Sequence, residues 1–405
     1  MNDPKQRIAI VGAGMAGVTA RYRLAAAGFH VETFDKGRGP GGRTSRRRTD
    51  SGEFDHGAQY FTVRSPEFRA LVERWSEEGT VARWNPRIGT LREGAWRDAT
   101  GESPRYVGVP GMNQPAKNLA VLGDEAGAPP IRLGTRIVEA RDERPAGAPR
   151  NLWYLRDAAD ALHGPYGSLI LTVPPPQALD LLPGSSAAVP LLRDVKIDPC
   201  WAVMALYERP PMERWDAVFL EGGILSWAAR NSSKPGRPPG EAWVLHASPR
   251  WSRENLELDP REVIRILTAE LPAAVADGRS DGAGSARAGS AGARAVGARS
   301  VGGVPLATWA AAHRWRYARP RRQGESPRRH GEVARPPFWW NGEERLGLAG
   351  DWFCGGRVEC AFLSGHALAG GIAAALAGPA ADLNAGPAVG PVAGPSTGPA
   401  TGPTP

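Results

Sequence analysis

Cysteine is nearly absent: Cys200, Cys354 and Cys360 are the whole complement in 405 residues. They fit neither a disulfide framework nor a metal cluster, so no metal is expected and a reducing compartment is the natural setting. Lysine is scarce too, confined to Lys5, Lys36, Lys117, Lys196 and Lys234, and arginine carries nearly all of the formal charge of +8. Arginine rises here together with alanine, glycine and proline, which points to compositional bias rather than to a nucleic-acid partner. No RNA-binding or finger signature accompanies the charge, so nucleic acid is discounted. A basic surface would attract an anionic nucleotide instead. There is no hydrophobic leader, because the first apolar run is already the first strand. Nor does any run approach the roughly twenty apolar residues that span a bilayer, so a cytoplasmic protein with no membrane contact is expected.

What the chain does have is length for two or three domains and 14 tryptophans, which argue for a sizeable core. Its organising stretch is Ile8 to Arg43. An apolar strand ends in Gly12-Ala13-Gly14-Met15-Ala16-Gly17, an alanine-rich helix runs to Ala27, and a second strand, Val31 to Phe34, ends on Asp35. Gly12 permits the tight turn, Gly14 lets a pyrophosphate approach the backbone, and Gly17 lets the helix lie against the strand. The helix N-terminus offers N–H groups and a positive dipole end to phosphate. Asp35 stands where an adenosine ribose would donate its hydroxyls. Strand, helix and acid at these spacings favour a dinucleotide site over a chance glycine turn.

Further along, Ser65 and Pro66 open a helix carrying Phe68, Leu71, Val72 and Trp75 on one face. Short strands anchored by Trp84 and Trp96 follow, then a loop and helix from Gly108 to Leu122. Residues 131–140 read as a strand with a turn inside it, and 151–156 and 168–173 as two more. After Pro174-Pro175-Pro176 the texture changes to alternating strands at 200–207, 217–220, 224–231 and 242–248. Asp259 caps a helix with the stripe Val263, Ile266, Leu267 and Leu271, and ordered pattern resumes at 306–317. Residues 273–303 read as a flexible low-complexity insertion and 379–405 as a disordered tail.

Asp351 closes an apolar strand just before Gly355 and Gly356, and a helix begins near Val358–Ala361. A single nucleotide needs neither; a long dinucleotide such as FAD needs both. Asp351 suits its ribityl–phosphate side. The helix amides suit the negative charge that appears at N1–C2=O when the ring is reduced.

The motifs DKGRGPGGR (35–43), GAQYFT (57–62), VPGM (109–112), HRWRYARP (313–320) and AGDWF with VECAFLSG (349–365) together resemble the renalase-like flavoproteins of the amine-oxidase-type FAD family. The resemblance covers most of the patterned chain and leaves out 273–303 and the tail. It implies non-covalent FAD, with the turn Gly12, Ala13, Gly14, Met15, Ala16 and Gly17 at the pyrophosphate. Asp35 would hold the ribose, with Lys36 beside it, and Arg43 would cross the phosphates. Ala58, Gln59 and Tyr60 would line the flavin, and Ile137 would bind adenine through its backbone. Asp351, Val358, Glu359 and Phe362 would close the far end. Cys360 stands where such proteins carry glycine, and its side chain would either crowd the ring or turn into the helix packing.

The implied reaction is oxidation of 2- or 6-dihydro-NAD(P) by hydride transfer to the flavin, with O2 as final acceptor and hydrogen peroxide as product. Such chemistry asks for stacking geometry rather than a strong base. Tyr60, following Gln59, and His246, on the opposite strand face from Trp243 and Leu245, are the candidate catalytic residues. His313, Trp315 and Tyr317 share one strand face, and Arg314 and Arg316 the other. The plainer reading of each pocket candidate is a core aromatic or a satisfied polar group. The fold expected is α/β: a Rossmann-like FAD-binding domain (1–64, 108–175, 340–378) with an inserted α+β substrate domain containing a mixed sheet (65–107, 176–339). The rivals are a flavin amine oxidase acting on small amines, and a flavin-binding protein without turnover.

Overall fold

The computed structural model describes residues 6–99, 101, 103–143, 151–277, 300–301, 304–321 and 336–377. Arg7–Val11 is apolar on both faces and buried on both, the signature of a central parallel strand. It pairs in parallel with His30–Phe34 on one side and Ser168–Leu171 on the other. Leu346–Ala349 continues the parallel run, and Phe338–Asn341 closes the edge antiparallel. One face of this five-stranded sheet is covered by the first helix (Met15–Ala26) and the last (Val358–Ala377), through Ala16, Ala20, Leu24, Leu368 and Ile372. The other face is covered by a three-stranded sheet of Ile137–Glu143, Leu152–Asp157 and Leu162–Tyr166, which contributes Trp153, Leu155 and Tyr166.

The two helices can touch because Gly365 faces the first of them: a Cβ there would collide with the Ala16 carbonyl. The last helix corrects an expectation. Val358–Leu376 is long and apolar enough to cross a membrane by length and composition, which the sequence reading denied. Half of that stretch is buried within the fold, where it serves as a core helix against the sheet and the first helix.

A seven-stranded mixed sheet forms the second layer system, in the order Ala307–Pro320, Ile197–Tyr207, Glu241–Ala247, Leu225–Arg230, Ala217–Leu220, Ile88–Arg92, Ala95–Asp98. Only Ala217–Leu220 and Ile88–Arg92 run parallel within it. Trp201, Val203, Trp243 and Leu245 point from one face into a core closed by the helix Pro260–Asp277, whose Val263, Leu267 and Leu271 form the expected stripe. Ser65 caps the helix Pro66–Glu77 by accepting the Phe68 N–H at 3.2 Å, a contact worth ~1 kcal/mol. The α/β architecture with a mixed sheet is thus the one the sequence implied.

Several local expectations fail. Residues 131–136 form no strand; the strand starts at Ile137, and Arg132 makes only an isolated bridge to Phe34. Short helices at Pro175–Leu181, Val189–Asp194 and Pro249–Glu254 had no periodic signal. Residues 273–277, assigned to an insertion, finish the helix that begins at Pro260. Ser300–Val301 pairs with Val304–Pro305. The rest of the expected insertion and the expected tail lie outside the described residues.

Candidate functional site

Both sheet systems wall a cavity of about 1530 Å³. A pocket for one drug-sized molecule measures ~300–1,000 Å³, so this one has room for two ligands side by side. At one end the parallel strands deliver the glycine turn. The Gly12 N–H donates to the Phe34 carbonyl at 2.8 Å, and its φ of 111° excludes a side chain. Gly17 cannot carry a Cβ, which would strike the Gly12 carbonyl oxygen. Gly14 is different in kind: a Cβ there meets no atom within 4 Å, because the space beside it is cavity. No side chain caps the helix at Gly14, and its first turn holds no acid. Its leading amides therefore keep their capacity for an anion. An open glycine, an uncapped helix end and a cavity of this length fit the diphosphate of a dinucleotide.

The loop 35–43 folds back along this turn, with the Gly41 N–H donating to the Ala13 carbonyl at 2.9 Å. Asp35 lines the cavity, yet both its carboxylate oxygens accept backbone N–H groups, from Ala13 and from Gly37, each at 2.6 Å. It braces the turn as well as facing the expected ribose. Arg43 makes a two-pronged ion pair with Asp351, at 3.0 and 2.7 Å, so the residue expected to cross the phosphates and the one expected on the ribityl–phosphate side meet each other across the wall. The Ala58 N–H donates to the Arg43 carbonyl at 2.9 Å, which ties the 57–62 loop to the same place.

Of the residues expected at a cofactor, Gly12, Gly14, Met15, Ala16, Asp35, Lys36, Arg43, Ala58, Gln59, Tyr60, Ile137, Asp351 and Val358 line this one cavity. Ala13, Gly17, Glu359 and Phe362 do not. Glu359 Oε1 accepts the Arg64 and Ser65 amides, both at 2.7 Å, and so tethers the last helix to its neighbour. Phe362 packs on Phe68 in the core. Gln59 also departs from expectation, because its side-chain amide donates to the carbonyls of Asp55 and Gly57 and accepts from Lys234. Cys360 is buried away from the cavity wall, its thiol donating to the Cys354 carbonyl at 2.8 Å, so its side chain does not crowd the cavity.

The seven-stranded sheet supplies the opposite wall. His246 and the face carrying His313, Trp315 and Tyr317 all line the cavity; Arg314 and Arg316 also border it, with their guanidinium groups paired to Glu257. Trp315 Nε1 donates to the His56 carbonyl at 3.0 Å, and His246 Nε2 lies 3.3 Å from the same oxygen. The rings of His56, His313 and Trp315 pack together with centroids within 5.0 Å, His313 edge-on to the other two. Tyr60 packs against Trp84 and Trp227, with Arg105 over its ring. Burial pushes His56 down to about 3, helped by His313 and Arg47, and pushes His246 and His313 down to about 4. All three are neutral at pH 7.

That neutrality sets a pH dependence. Unfolded histidine titrates near 6.5, so below that value the unfolded chain takes up protons that the folded chain refuses. Stability should fall as pH drops from about 6.5 towards 4, by up to ~1.4 kcal/mol per pH unit for each histidine. Urea midpoints at pH 7.5, 6.0 and 5.0 would measure it, and His313→Gln should flatten the slope. A flat profile across that window would contradict three neutral rings.

One cluster escaped the sequence reading. Asp55 Oδ2 accepts from Arg237 Nη2 at 2.6 Å and from Lys234 Nζ at 3.3 Å, while Oδ1 accepts the Met112 N–H at 2.9 Å. Burial alone would raise the Asp55 carboxyl, but Lys234 and Arg237 outweigh it and hold the group below its usual range. A scarce lysine between two turn residues was the available signal; its acid partner lies 179 positions away.

Comparison with known proteins agrees with this geometry. Residues 10–75 match a model of an NAD(P)-binding Rossmann-like domain, and residues 93–373, well over half of the chain, match the flavin-containing amine oxidoreductase model. The zeta-carotene-forming phytoene desaturase of Myxococcus xanthus is 41% identical over 86 residues, 20% of this chain and 16% of that protein. The hydroxyneurosporene desaturase of Rubrivivax gelatinosus is 33% identical over 99 residues, 24% and 18% respectively. The chain therefore aligns with less than a fifth of the length of either relative. A candidate protoporphyrinogen oxidase from Exiguobacterium sp. 255-15 superposes with a TM-score of 0.63 at 13% identity, covering 91% of this chain and 98% of its own. Putrescine oxidase bound to putrescine superposes at 0.59 and 14% identity, covering 90% and 98%. The fold is shared along nearly the whole of both structures, and the chain belongs to the flavin-containing amine oxidoreductase family.

Proposed function

We propose that the cavity binds FAD non-covalently and that the protein is a renalase-like oxidase of 2- or 6-dihydro-NAD(P). The observation that carries the substrate class is the charge of the wall. Arg47 and Arg319 line the cavity beside the histidines, and neither lies within ion-pair distance of a carboxylate among the described residues. Among the described residues, the acids on the lining are Asp35, Asp180 and Asp351. Such a surface favours an anionic dinucleotide over a cationic amine. Cys200, the cysteine of that lining, is pushed up to about 12 by burial, and a thiol so held is a poor nucleophile for a covalent flavin link.

Gly14 and the first helix would hold the FAD diphosphate, Arg43 and Asp351 its middle, and Ala58 to Tyr60 the ring side. FAD, when bound, supplies the hydride acceptor and passes the electrons to O2. The overall change is dihydro-NAD(P) plus O2 plus a proton giving NAD(P)+ and H2O2. The chain's own work is positioning: the arginines hold substrate phosphates, and the aromatic wall stacks the nicotinamide. His56, whose buried Nδ1 has no partner among the described residues, offers a neutral hydrogen-bonding group. None of these residues needs to act as a strong base.

A second reading, oxidation of small amines, is favoured by the ring group Tyr60, Phe219 and Trp227, since aromatic faces attract ammonium ions. Anaerobic mixing of the flavin-loaded protein with each dihydronicotinamide isomer and with a panel of amines separates the readings. Rapid bleaching of the flavin band by 2- or 6-dihydro-NAD(P) alone is expected. Bleaching by amines alone would replace the first reading with the second, and bleaching by nothing would leave a binding protein without turnover.

A further inference from the structure

Behind the wall formed by His56 to Tyr60 sit two cations and one carboxylate. The side chains of Lys234 and Asp55 are 0% exposed and that of Arg237 is 2% exposed. Arg237 and Asp55 form a close pair, with Nη2 and Nε both on Oδ2 at 2.6 and 3.1 Å. Arg237 Nη1 is taken by the carbonyls of Gly108 and Pro235, each at 2.6 Å. Gly236, at φ 74°, makes the turn that brings Lys234 and Arg237 to the same carboxylate. The remaining contacts of Lys234 are with neutral oxygens, Gln59 Oε1 at 3.1 Å and Asn231 Oδ1 at 3.3 Å, and with the Trp84 ring, its Nζ 5.6 Å from the centroid.

Two cations against one carboxylate leave a buried positive charge uncancelled. Packing does not ask for it, since an apolar side chain of the same length would fill the space without the desolvation cost. The charge is felt in the cavity: Lys234 is among the groups that oppose protonation of His246 there. Gln59 is the direct link, because it carries the lysine's hydrogen bond on one side and belongs to the cavity wall on the other. The histidines of this wall are neutral and place no negative charge between.

We propose that Lys234 is an electrostatic positioning residue: its buried ammonium, fixed against Gln59, raises the reduction potential of a flavin in the cavity. Reduction adds negative charge to the ring, and an unscreened cation close behind the wall favours that state over the oxidised one. The inference rests on flavin occupying the cavity but is independent of which substrate delivers the hydride. Lys234 stays protonated at pH 7: burial pulls it down to about 8, Asp55 works against that pull, and Arg237 adds to it.

The test is the midpoint potential of the bound flavin, measured by reductive titration against a reference dye, in the wild type, Lys234→Gln and Arg237→Gln. Lys234→Gln removes the charge and keeps a donor for Gln59. Arg237→Gln leaves Lys234 with Asp55 as a balanced pair and keeps the lysine–Gln59 bond. Both are expected to shift the reduction equilibrium at least tenfold towards the oxidised form, ~30 mV for a two-electron couple. A flavin-loaded variant of either kind with the wild-type potential overturns the proposal. Should neither variant fold, the wild type decides: a potential above that of free flavin supports the role, and one at or below it overturns it. Failure of the wild type to bind FAD at all is a separate result, which removes the cofactor reading itself.

Discussion

Asp55→Ala is expected to lose ~3–5 kcal/mol of folding stability, the cost of removing one partner from a buried ion pair. The side chain has no solvent contact, and two cations depend on it. Removing it leaves both buried without a counter-charge and frees the Met112 N–H as well. Against a total of ~5–15 kcal/mol for a typical domain, that is enough to deplete the folded state. Asp55→Asn should cost less, because its amide oxygen can still accept from Met112 or Arg237. The double variant Asp55→Ala/Lys234→Met should recover ~1 kcal/mol or more over the single one, since it removes one of the stranded charges. Urea denaturation of all three proteins would show the order. A loss below ~1 kcal/mol for Asp55→Ala would mean that water reaches the cluster.

Much of the fold was legible because its signals are local. The glycine turn, the Ser65 cap and the Val263–Leu271 stripe each need fewer than about a dozen residues to be recognised, and the chain builds them as read. What escaped was either too short for a period or disguised by proline. Leu162–Tyr166 contains Gly164 and Pro165 and looks like a turn, yet it is the edge of a three-stranded sheet, where a missing N–H is tolerated. Phe338–Asn341, placed just after Pro336 and Pro337, is likewise an edge strand. The helices Pro175–Leu181 and Val189–Asp194 make two turns or fewer, too little for an amphipathic pattern.

The site divides along the same line. Residues presented by backbone geometry, such as Gly12, Gly14 and Ala58, could be placed from motif and resemblance, because a close approach leaves a mark in residue size. Side chains with a choice of partner could not. Asp35, Gln59 and Glu359 all look like ligand contacts in sequence; Glu359 lies off the cavity, and Asp35 and Gln59 line it while also spending hydrogen bonds on the protein. Lys234 and Asp55 lie far apart in the chain and meet only through the fold, so neither announces the other. The aromatic wall was read correctly as one strand face, because alternation along a strand is itself a local rule.

Gly14 and Gly17 should fail in opposite ways when each is replaced by alanine, and the contrast separates a ligand glycine from a packing glycine. A Cβ on Gly17 would strike the Gly12 carbonyl oxygen and crowd Thr172 Oγ1 at 2.8 Å, so helix and strand must move apart. Overpacking of that kind costs ~1–3 kcal/mol, and Gly17→Ala should melt earlier with or without flavin present. Gly14 sits at φ −73° and ψ 178°, a conformation open to any residue, and its Cβ would meet no protein atom within 4 Å. The flavin-free Gly14→Ala protein should therefore melt no earlier than the flavin-free wild type, and could gain ~0.4–1 kcal/mol from a stiffer unfolded chain. Its methyl group would instead stand where the proposed diphosphate must come against the backbone, and a loss of ~100-fold in FAD affinity, near 2.7 kcal/mol, is expected. Thermal melts of both apoproteins and fluorescence titration with FAD would read the two effects separately. Wild-type affinity in a well-folded Gly14→Ala would place the diphosphate elsewhere, because nothing in the protein itself requires glycine at that position.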